Sequence, residues 1–313
     1  MRKKVSIIGA GNVGATTAML LAHMNVADIM LVDIVEGVPQ GRALDIAESC
    51  PLYSSSVSVT GSNGYEDTAE SDVLVVTAGF PRKPGMSRDD LLKANAEIVG
   101  KVAEETVKQS AHAVIIVVTN PMDAMAQLVL RVSGFPESRV VGMGGVLDSA
   151  RFRRFVAWEM GVSPGDVEAL VMGGHGSGMV PLPRFTTVKG VPITSLLSPE
   201  RVAALIERTR KGGDEIVSHL KTGSAFYAPA ASVCQMIKSI ICDEKRVLPC
   251  SAYLRGQYGF EGVYAGVPVV LASSGVERII ELELEEAEKK DFGKSVSSVS
   301  ALVKQLGLTG SQR

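Results

Sequence analysis

A histidine enclosed by glycines, Gly173-Gly174-His175-Gly176, follows a segment Leu147-Asp148-Ser149-Ala150-Arg151 in a chain of 313 residues. A histidine paired with a carboxylate can give and take a proton near neutral pH. Asp148 and His175 are too far apart in sequence to pair within one element, so the fold must bring them together. Arg151 stands three residues after Asp148, one helical turn on, and shares a face with it. A guanidinium there can hold a substrate carboxylate through two parallel hydrogen bonds. Proton exchange beside a carboxylate clamp is the chemistry needed to interconvert a hydroxy acid and its keto acid, provided a hydride carrier is at hand.

The carrier has its own signature. Residues 5–8 are an apolar, strand-like run that leads into Gly9-Ala10-Gly11-Asn12-Val13-Gly14 and then a helical pattern, and Asp33 closes the following strand. A carboxylate about 20 residues beyond a G-x-G-x-x-G turn completes the dinucleotide fingerprint. The glycines let backbone approach a pyrophosphate, and the helix start offers unpaired N–H groups to it. Asp33 is expected to accept hydrogen bonds from the adenosine ribose and to repel a 2′-phosphate. Ile34 supplies no compensating cation, so NAD is the expected cofactor rather than NADP.

These side chains require a scaffold. Short β-branched runs at 5–8, 29–32, 57–60, 73–76 and 114–118 are nearly all apolar, as strands buried on both faces are. Helical patterns at 14–23, 38–49, 91–110 and 121–132 lie between or after them, and a further short strand falls near 139–142. Such alternation predicts an α/β fold with an N-terminal Rossmann-type, doubly wound parallel sheet. After about residue 144 the texture changes, and a C-terminal α+β substrate or catalytic domain is expected. The expected domains are 1–144 and 145–313. In the second, helices are predicted at 146–160, 199–219, 228–240 and 276–306, strands at 247–254 and 267–272, and a hairpin arm at 186–188. The Glu/Lys run 281–290 reads as a solvated helix face.

Composition removes other classes. The chain is 46% hydrophobic and 21% charged with a net charge of −2, ordinary for a folded protein and without the basic surface that nucleic acid or an anionic membrane requires. Cys50, Cys234, Cys242 and Cys250 lack metal-ligand spacing, so no metal is expected. The basic start Met1-Arg2-Lys3-Lys4 resembles a secretory leader, but Gly9, Gly11, Asn12 and Gly14 break the apolar run, and a cytoplasmic location is expected. His23, His112 and His219 read as structural or exposed.

The segment Gly79-Phe80-Pro81-Arg82-Lys83-Pro84-Gly85-Met86-Ser87-Arg88 follows a strand end and reads as a lid that brings Arg82 and Arg88 to the substrate, with Lys83 solvated. Val118-Thr119-Asn120-Pro121 ends another strand, where the Asn120 amide can reach substrate or nicotinamide.

With these motifs in view, the chain resembles, over essentially its whole length, the malate dehydrogenases of the lactate-dehydrogenase-like branch. The resemblance rests on Gly9 through Gly14, Asp33, Arg82 through Arg88, Val118 through Pro121, Asp148 through Arg151, and Gly174-His175-Gly176. It implies that His175 is the proton donor and acceptor with Asp148 as its partner, and that Arg151 binds one substrate carboxylate. It further implies that Arg88 polarises the reacting carbonyl, that Asn120 contacts the substrate, and that Asn95 together with Val118, Thr119 and Asn120 serves the cofactor. A homodimer or homotetramer acting on a small molecule is implied as well. Arg82 distinguishes malate from lactate, since lactate dehydrogenases carry glutamine at this position. The alternatives are a lactate or other 2-hydroxy-acid dehydrogenase, an NAD-dependent hydrolase, and a non-catalytic NAD sensor. The last would have no use for a proton donor or three arginines.

Overall fold

The computed structural model describes residues 2–80 and 88–308, with the side chain of Arg88 outside the described part. Arg82 and the rest of the expected lid, residues 81–87, therefore lie outside the described residues.

The N-terminal half alternates as its apolar runs require. It comprises β1 (Lys4–Ile8), α1 (Asn12–Met24), β2 (Asp28–Val32), α2 (Val38–Ser49), β3 (Val59–Ser62), β4 (Val73–Val76), α3 (Arg88–Gln109), β5 (Val114–Val117), α4 (Met122–Ser133) and β6 (Val140–Gly142). All of β4 and β5 is buried, which is why those strands show no polar alternation. The third strand begins two residues later than its β-branched run suggested, and Pro121 caps α4 rather than opening it.

The second half opens with α5 (Gly144–Met160) and the short strands β7 (Val167–Glu168), β8 (Val171–Met172), β9 (Val180–Pro181), β10 (Thr187–Val188) and β11 (Val191–Pro192). The expected hairpin arm is β10, antiparallel to β11. Helices α6 (Pro199–Arg210), α7 (Gly212–Leu220) and α8 (Tyr227–Ile241) follow, then β12 (Arg246–Arg255), β13 (Glu261–Ala272), β14 (Gly275–Ile279) and α9 (Glu286–Gln305). Two expectations are corrected. The single helix expected at 199–219 is two, because Gly212-Gly213 follows Lys211 and weakens helix continuity there. The helix expected at 276–306 starts only at Glu286. Residues 276–279 instead pair with β13 as β14, turned by Gly275 at φ +94°, so the acidic run 281–285 precedes the helix.

Among the described residues nine strands form one sheet in the order β14-β13-β12-β6-β5-β4-β1-β2-β3. Strands β1 to β6 are mutually parallel, and their order reverses between β1 and β4, the switch point at which α/β sheets receive ligands. The β12–β13–β14 meander is antiparallel and joins the parallel part where Ser251 pairs with Gly142. A large apolar core lines this sheet. A smaller cluster that includes Phe152, Val156, Met179 and Leu205 secures α5 and α6 to the short strands.

One crossing bears directly on the histidine loop. Gly173 and Gly266 of β13 exchange backbone hydrogen bonds of 2.9 and 3.0 Å, and a Cβ on Gly266 would fall 2.5 Å from the Gly173 carbonyl oxygen. Backbone cannot yield as a side-chain tip can. Gly266→Ala is expected to lose about 1–3 kcal/mol, as overpacking does. Chemical denaturation checks this, and an unchanged unfolding free energy would show that the loop gives way freely.

Candidate active site

Residue Asp148 lies in the second turn of α5 and is 2% exposed, whereas His175 lies in the loop after β8. Their side chains meet, with His175 Nδ1 2.8 Å from Asp148 Oδ2. The contact commits Nδ1 to the carboxylate and leaves Nε2 as the nitrogen able to exchange a proton with a ligand. Arg151 Nη1 donates to the other oxygen, Asp148 Oδ1, at 3.4 Å, as the i,i+3 spacing requires.

The electrostatics are those of a proton donor. Burial pushes the His175 imidazolium down, but the charge and hydrogen bond of Asp148, with the charge of Asp123, outweigh burial and the opposing Arg151, so its pKa stands above the ordinary histidine value. Burial draws the Arg151 guanidinium below its usual range, against the pull of Asp148 and Asp214. The Arg151 side chain is 13% exposed, and its buried Nε has no hydrogen-bond partner among the described residues. A buried donor without a partner is a place where an anionic ligand gains.

The nucleotide residues sit at the switch point. Gly9 has φ +106°, and a Cβ there would strike Thr77 Oγ1 at 2.6 Å and the Ala78 amide nitrogen at 2.7 Å. At Gly14 a Cβ would lie 1.9 Å from the Gly9 carbonyl oxygen, so the turn and α1 close only without one. Gly11, by contrast, faces open space and caps α1 with no side-chain hydrogen bond, which leaves amides at the helix start free for an anion. Asn12 and Val13 form the first turn of that helix. Asp33 follows β2 and accepts from the Ala10 amide at 2.8 Å and the Val35 amide at 3.0 Å. Open backbone over a helix start, with a carboxylate at the adjacent strand end, fits a dinucleotide.

Other expected residues carry visible structural duties. Asn95 is buried on α3 and ties two strand-end loops together. Its Oδ1 accepts from the Phe80 amide at 2.8 Å, and its Nδ2 donates to the carbonyls of Phe80 at 3.2 Å and Asn120 at 2.7 Å. Thr119 Oγ1 donates to Ala78 O at 2.7 Å, the Val118 amide donates to Val76 O at 3.0 Å, and Asn120 itself is exposed. The backbone of Arg88 begins α3.

Two groups were not found by sequence reasoning. Arg42 of α2 donates to the Ala10 carbonyl, so a cation does reach the fingerprint turn, from a position that spacing alone does not connect with it. Asp123 of α4 accepts the His175 backbone amide at 2.8 Å. The available signal was a carboxylate on a helix face otherwise made of Ala126, Gln127 and Leu130. Among the described residues no cluster of His, Cys, Asp and Glu is able to hold a metal, and no helix is long and apolar enough to cross a membrane. Cys50, Cys234 and Cys250 are buried and Cys242 is exposed; burial pushes the Cys234 thiol up to about 12.

Known proteins similar to this chain are numerous. Residues 3–142 match the family described as lactate/malate dehydrogenase, NAD binding domain, and residues 145–306 match lactate/malate dehydrogenase, alpha/beta C-terminal domain. A malate dehydrogenase of Thermomicrobium roseum is 58% identical over 98% of this chain and 99% of its own. The crystal structure of the Cryptosporidium parvum malate dehydrogenase superposes with a TM-score of 0.96 at 46% identity, covering 99% of this chain and 100% of that one. A lactate dehydrogenase of Cryptosporidium parvum, solved with lactic acid and β-nicotinamide adenine dinucleotide, reaches 0.95 at 42% identity over 99% of both chains. Family models that together span nearly the whole chain, and relatives this similar over its full length, establish that the chain belongs to the lactate/malate dehydrogenase family.

Proposed function

We propose that this chain is an enzyme that catalyses reversible hydride transfer between (S)-malate and NAD+, giving oxaloacetate and NADH. The observation that carries the reading is the 2.8 Å contact of His175 with Asp148, whose second oxygen engages Arg151. Bound NAD supplies or accepts the hydride. Residues 1–144 would hold it, with Gly9, Ala10, Gly11, Asn12, Val13 and Gly14 suited to receive the pyrophosphate and Asp33 to accept from the ribose. Val118, Thr119, Asn120 and Asn95 would serve the cofactor from the strand ends. Residues 145–313 supply the acid–base and carboxylate-binding groups.

In the reducing direction His175 Nε2 gives a proton to the carbonyl oxygen of oxaloacetate as that oxygen gains charge, and in the oxidising direction it takes the proton from the malate hydroxyl. Asp148 fixes the ring with Nδ1–H toward itself and stabilises the imidazolium. Arg151 holds one carboxylate, Arg88 the reacting oxygen, and Arg82 the second carboxylate, with Asn120 contacting the substrate. The names of the relatives and the arginine at 82 support malate over lactate. At about 4 Å and an effective dielectric near 20, a guanidinium–carboxylate attraction is about 4 kcal/mol before desolvation. A pyruvate methyl offers no such partner. The same reading places the protein in the cytoplasm as a homodimer or homotetramer, with a role in the tricarboxylic acid cycle and no nucleic-acid or membrane partner.

Purified protein oxidising NADH, followed by absorbance, is expected to prefer oxaloacetate over pyruvate by about a hundredfold to a thousandfold, the equivalent of about 3–4 kcal/mol. Arg82→Gln should shift that preference toward pyruvate. Comparable rates on the two acids by the unaltered protein would instead support a lactate dehydrogenase.

The pH dependence has a definite sign. Oxaloacetate reduction consumes the imidazolium, so its rate persists above the ordinary histidine pKa of about 6.5 and falls as pH rises through the elevated value. Malate oxidation needs neutral imidazole and falls in the opposite direction. Asp148→Asn removes the main support of the charged form and leaves burial to prevail, so the alkaline limit of reduction should move toward acid. A pH–rate profile that stays put in this variant would remove Asp148 from the role given to it.

A further inference from the structure

Among the described residues the ring of His175 is held by one hydrogen bond, and its glycine-rich backbone is intrinsically loose. Gly173 and Gly176, at φ +81° and +135°, occupy conformations that side chains disfavour, and Gly174 adds no restraint of its own. A single Nδ1 contact lets the imidazole pivot about Asp148, and a pivot of an ångström at Nε2 is enough to spoil proton transfer. The loop is nonetheless pinned at three successive residues by three remote elements. Gly173 bridges to Gly266 of β13. The Gly174 amide donates to Ser295 Oγ of α9 at 2.8 Å. The His175 amide donates to Asp123 Oδ2 of α4 at 2.8 Å, and Asp123 Oδ1 accepts from Ser251 Oγ of β12 at 2.6 Å.

The third pin is the unusual one. Asp123 is 4% exposed, and no cationic side chain forms an ion pair with it among the described residues. Burying a carboxylate costs several kcal/mol unless donors surround it. A purely structural tie between a helix and a loop could be made by a neutral hydroxyl, as Ser295 makes one.

We infer that Asp123 is a positioning residue for the reaction. Its carboxylate grips the main chain of His175 from the α4 side while Asp148 grips the ring from α5, so that Nε2 is fixed by two carboxylates acting on opposite ends of one residue. The inference rests on the reading of His175 as the proton donor. Among the described residues the charged groups facing this histidine are Asp148 and Arg151 from α5 and Asp123 from α4, whereas β12 and α9 present the neutral hydroxyls of Ser251 and Ser295. Burial raises the Asp123 carboxyl above its ordinary value, against the donors from Ser251 and His175, and in its ionised form it adds negative charge beside the imidazolium.

The test compares Asp123→Ala, Asp123→Asn, Ser251→Ala and His175→Asn in the full-length protein. It measures kcat with oxaloacetate, NADH affinity by fluorescence, and the pH profile of reduction. Asp123→Ala is expected to lower kcat about 100-fold, the effect of a misplaced catalytic group, with NADH affinity unchanged. In Asp123→Asn the side-chain oxygen still accepts the His175 amide and the amide nitrogen can donate to Ser251, so kcat should recover to within about tenfold of the original. The lost charge should move the alkaline limit of reduction toward acid. Should Asp123→Ala not fold, Ser251→Ala carries the test, because it frees one end of the carboxylate and should lower kcat without affecting NADH affinity. Normal kcat in Asp123→Ala, or in Ser251→Ala where that variant stands in, overturns the inference while an inactive His175→Asn keeps the reading of His175. Equal loss in the Ala and Asn variants, accompanied by loss of NADH binding, also overturns it, since that marks a fold defect. Wild-type turnover by His175→Asn overturns the reading of His175 and the inference with it.

Discussion

Everything in this molecule is arranged around one hydrogen bond between two buried groups, Asp148 and His175. A carboxylate that is 2% exposed has given up its hydration and must recover it from fixed donors, and here the imidazole takes one oxygen and Arg151 the other. The same burial that makes the carboxylate expensive makes its field strong, because little water screens it. The imidazolium is therefore favoured although the ring is mostly buried. Arg151 is held partly by the same carboxylate and keeps an Nε without a partner among the described residues, which leaves it ready for an anion.

Such a pair forms only if segments distant in sequence can approach closely, and glycines at the start of α5 permit this. A Cβ on Gly144 would lie 2.7 Å from that of His175, and one on Gly145 would lie 2.4 Å from the Pro249 carbonyl oxygen. The helix start can therefore press against the histidine loop on one side and β12 on the other. Because α5 follows β6 through Met143 alone, its first turns emerge beside the same strand ends that carry the Gly9 turn and Asn120. Parallel pairing aligns the carboxyl ends of β1, β4 and β5, and Asn95 ties the loops after β4 and β5 to each other. Nucleotide and acid–base residues meet because a parallel sheet presents its strand ends on one side.

How much of this was legible in the sequence follows from the range of the interactions involved. The Gly9-to-Gly14 turn, the buried strands β4 and β5 and the place of Asp33 after β2 depend on neighbours a few residues away, and local pattern reveals them. The contact of Asp148 with His175 is legible only through chemical complementarity. The break at Lys211 was signalled by Gly212-Gly213 and overridden by the helical pattern on both sides. Strand β14 was lost because Val276-Glu277-Arg278-Ile279 pairs through the backbone of β13, a partner that no local pattern announces. Residues 261–266 of β13 were passed over for a related reason: Gly262 and Gly266 weaken a strand pattern, yet the sheet needs Gly266 small so that Gly173 can approach. The partners of Arg42 and Asp123 leave no mark in the sequence, because each side chain acts on a backbone carbonyl or amide of a distant residue, although the carboxylate of Asp123 stands out on its helix face.

The charges around His175 carry a final consequence. Among the described residues two carboxylates and one guanidinium surround the imidazole, and with both carboxylates ionised the imidazolium brings that cluster to balance. The protonated state is thus the electrically complete one, opposed chiefly by burial. Giving up the proton leaves the cluster short of positive charge within a partly dry site, which favours its prompt recovery. A histidine with a single carboxylate beside an arginine would reach balance as neutral imidazole and would hold its proton less firmly at neutral pH. The second carboxylate therefore suits a group that must be ready to donate at the start of each reduction, and it does so from a position that leaves Nε2 free.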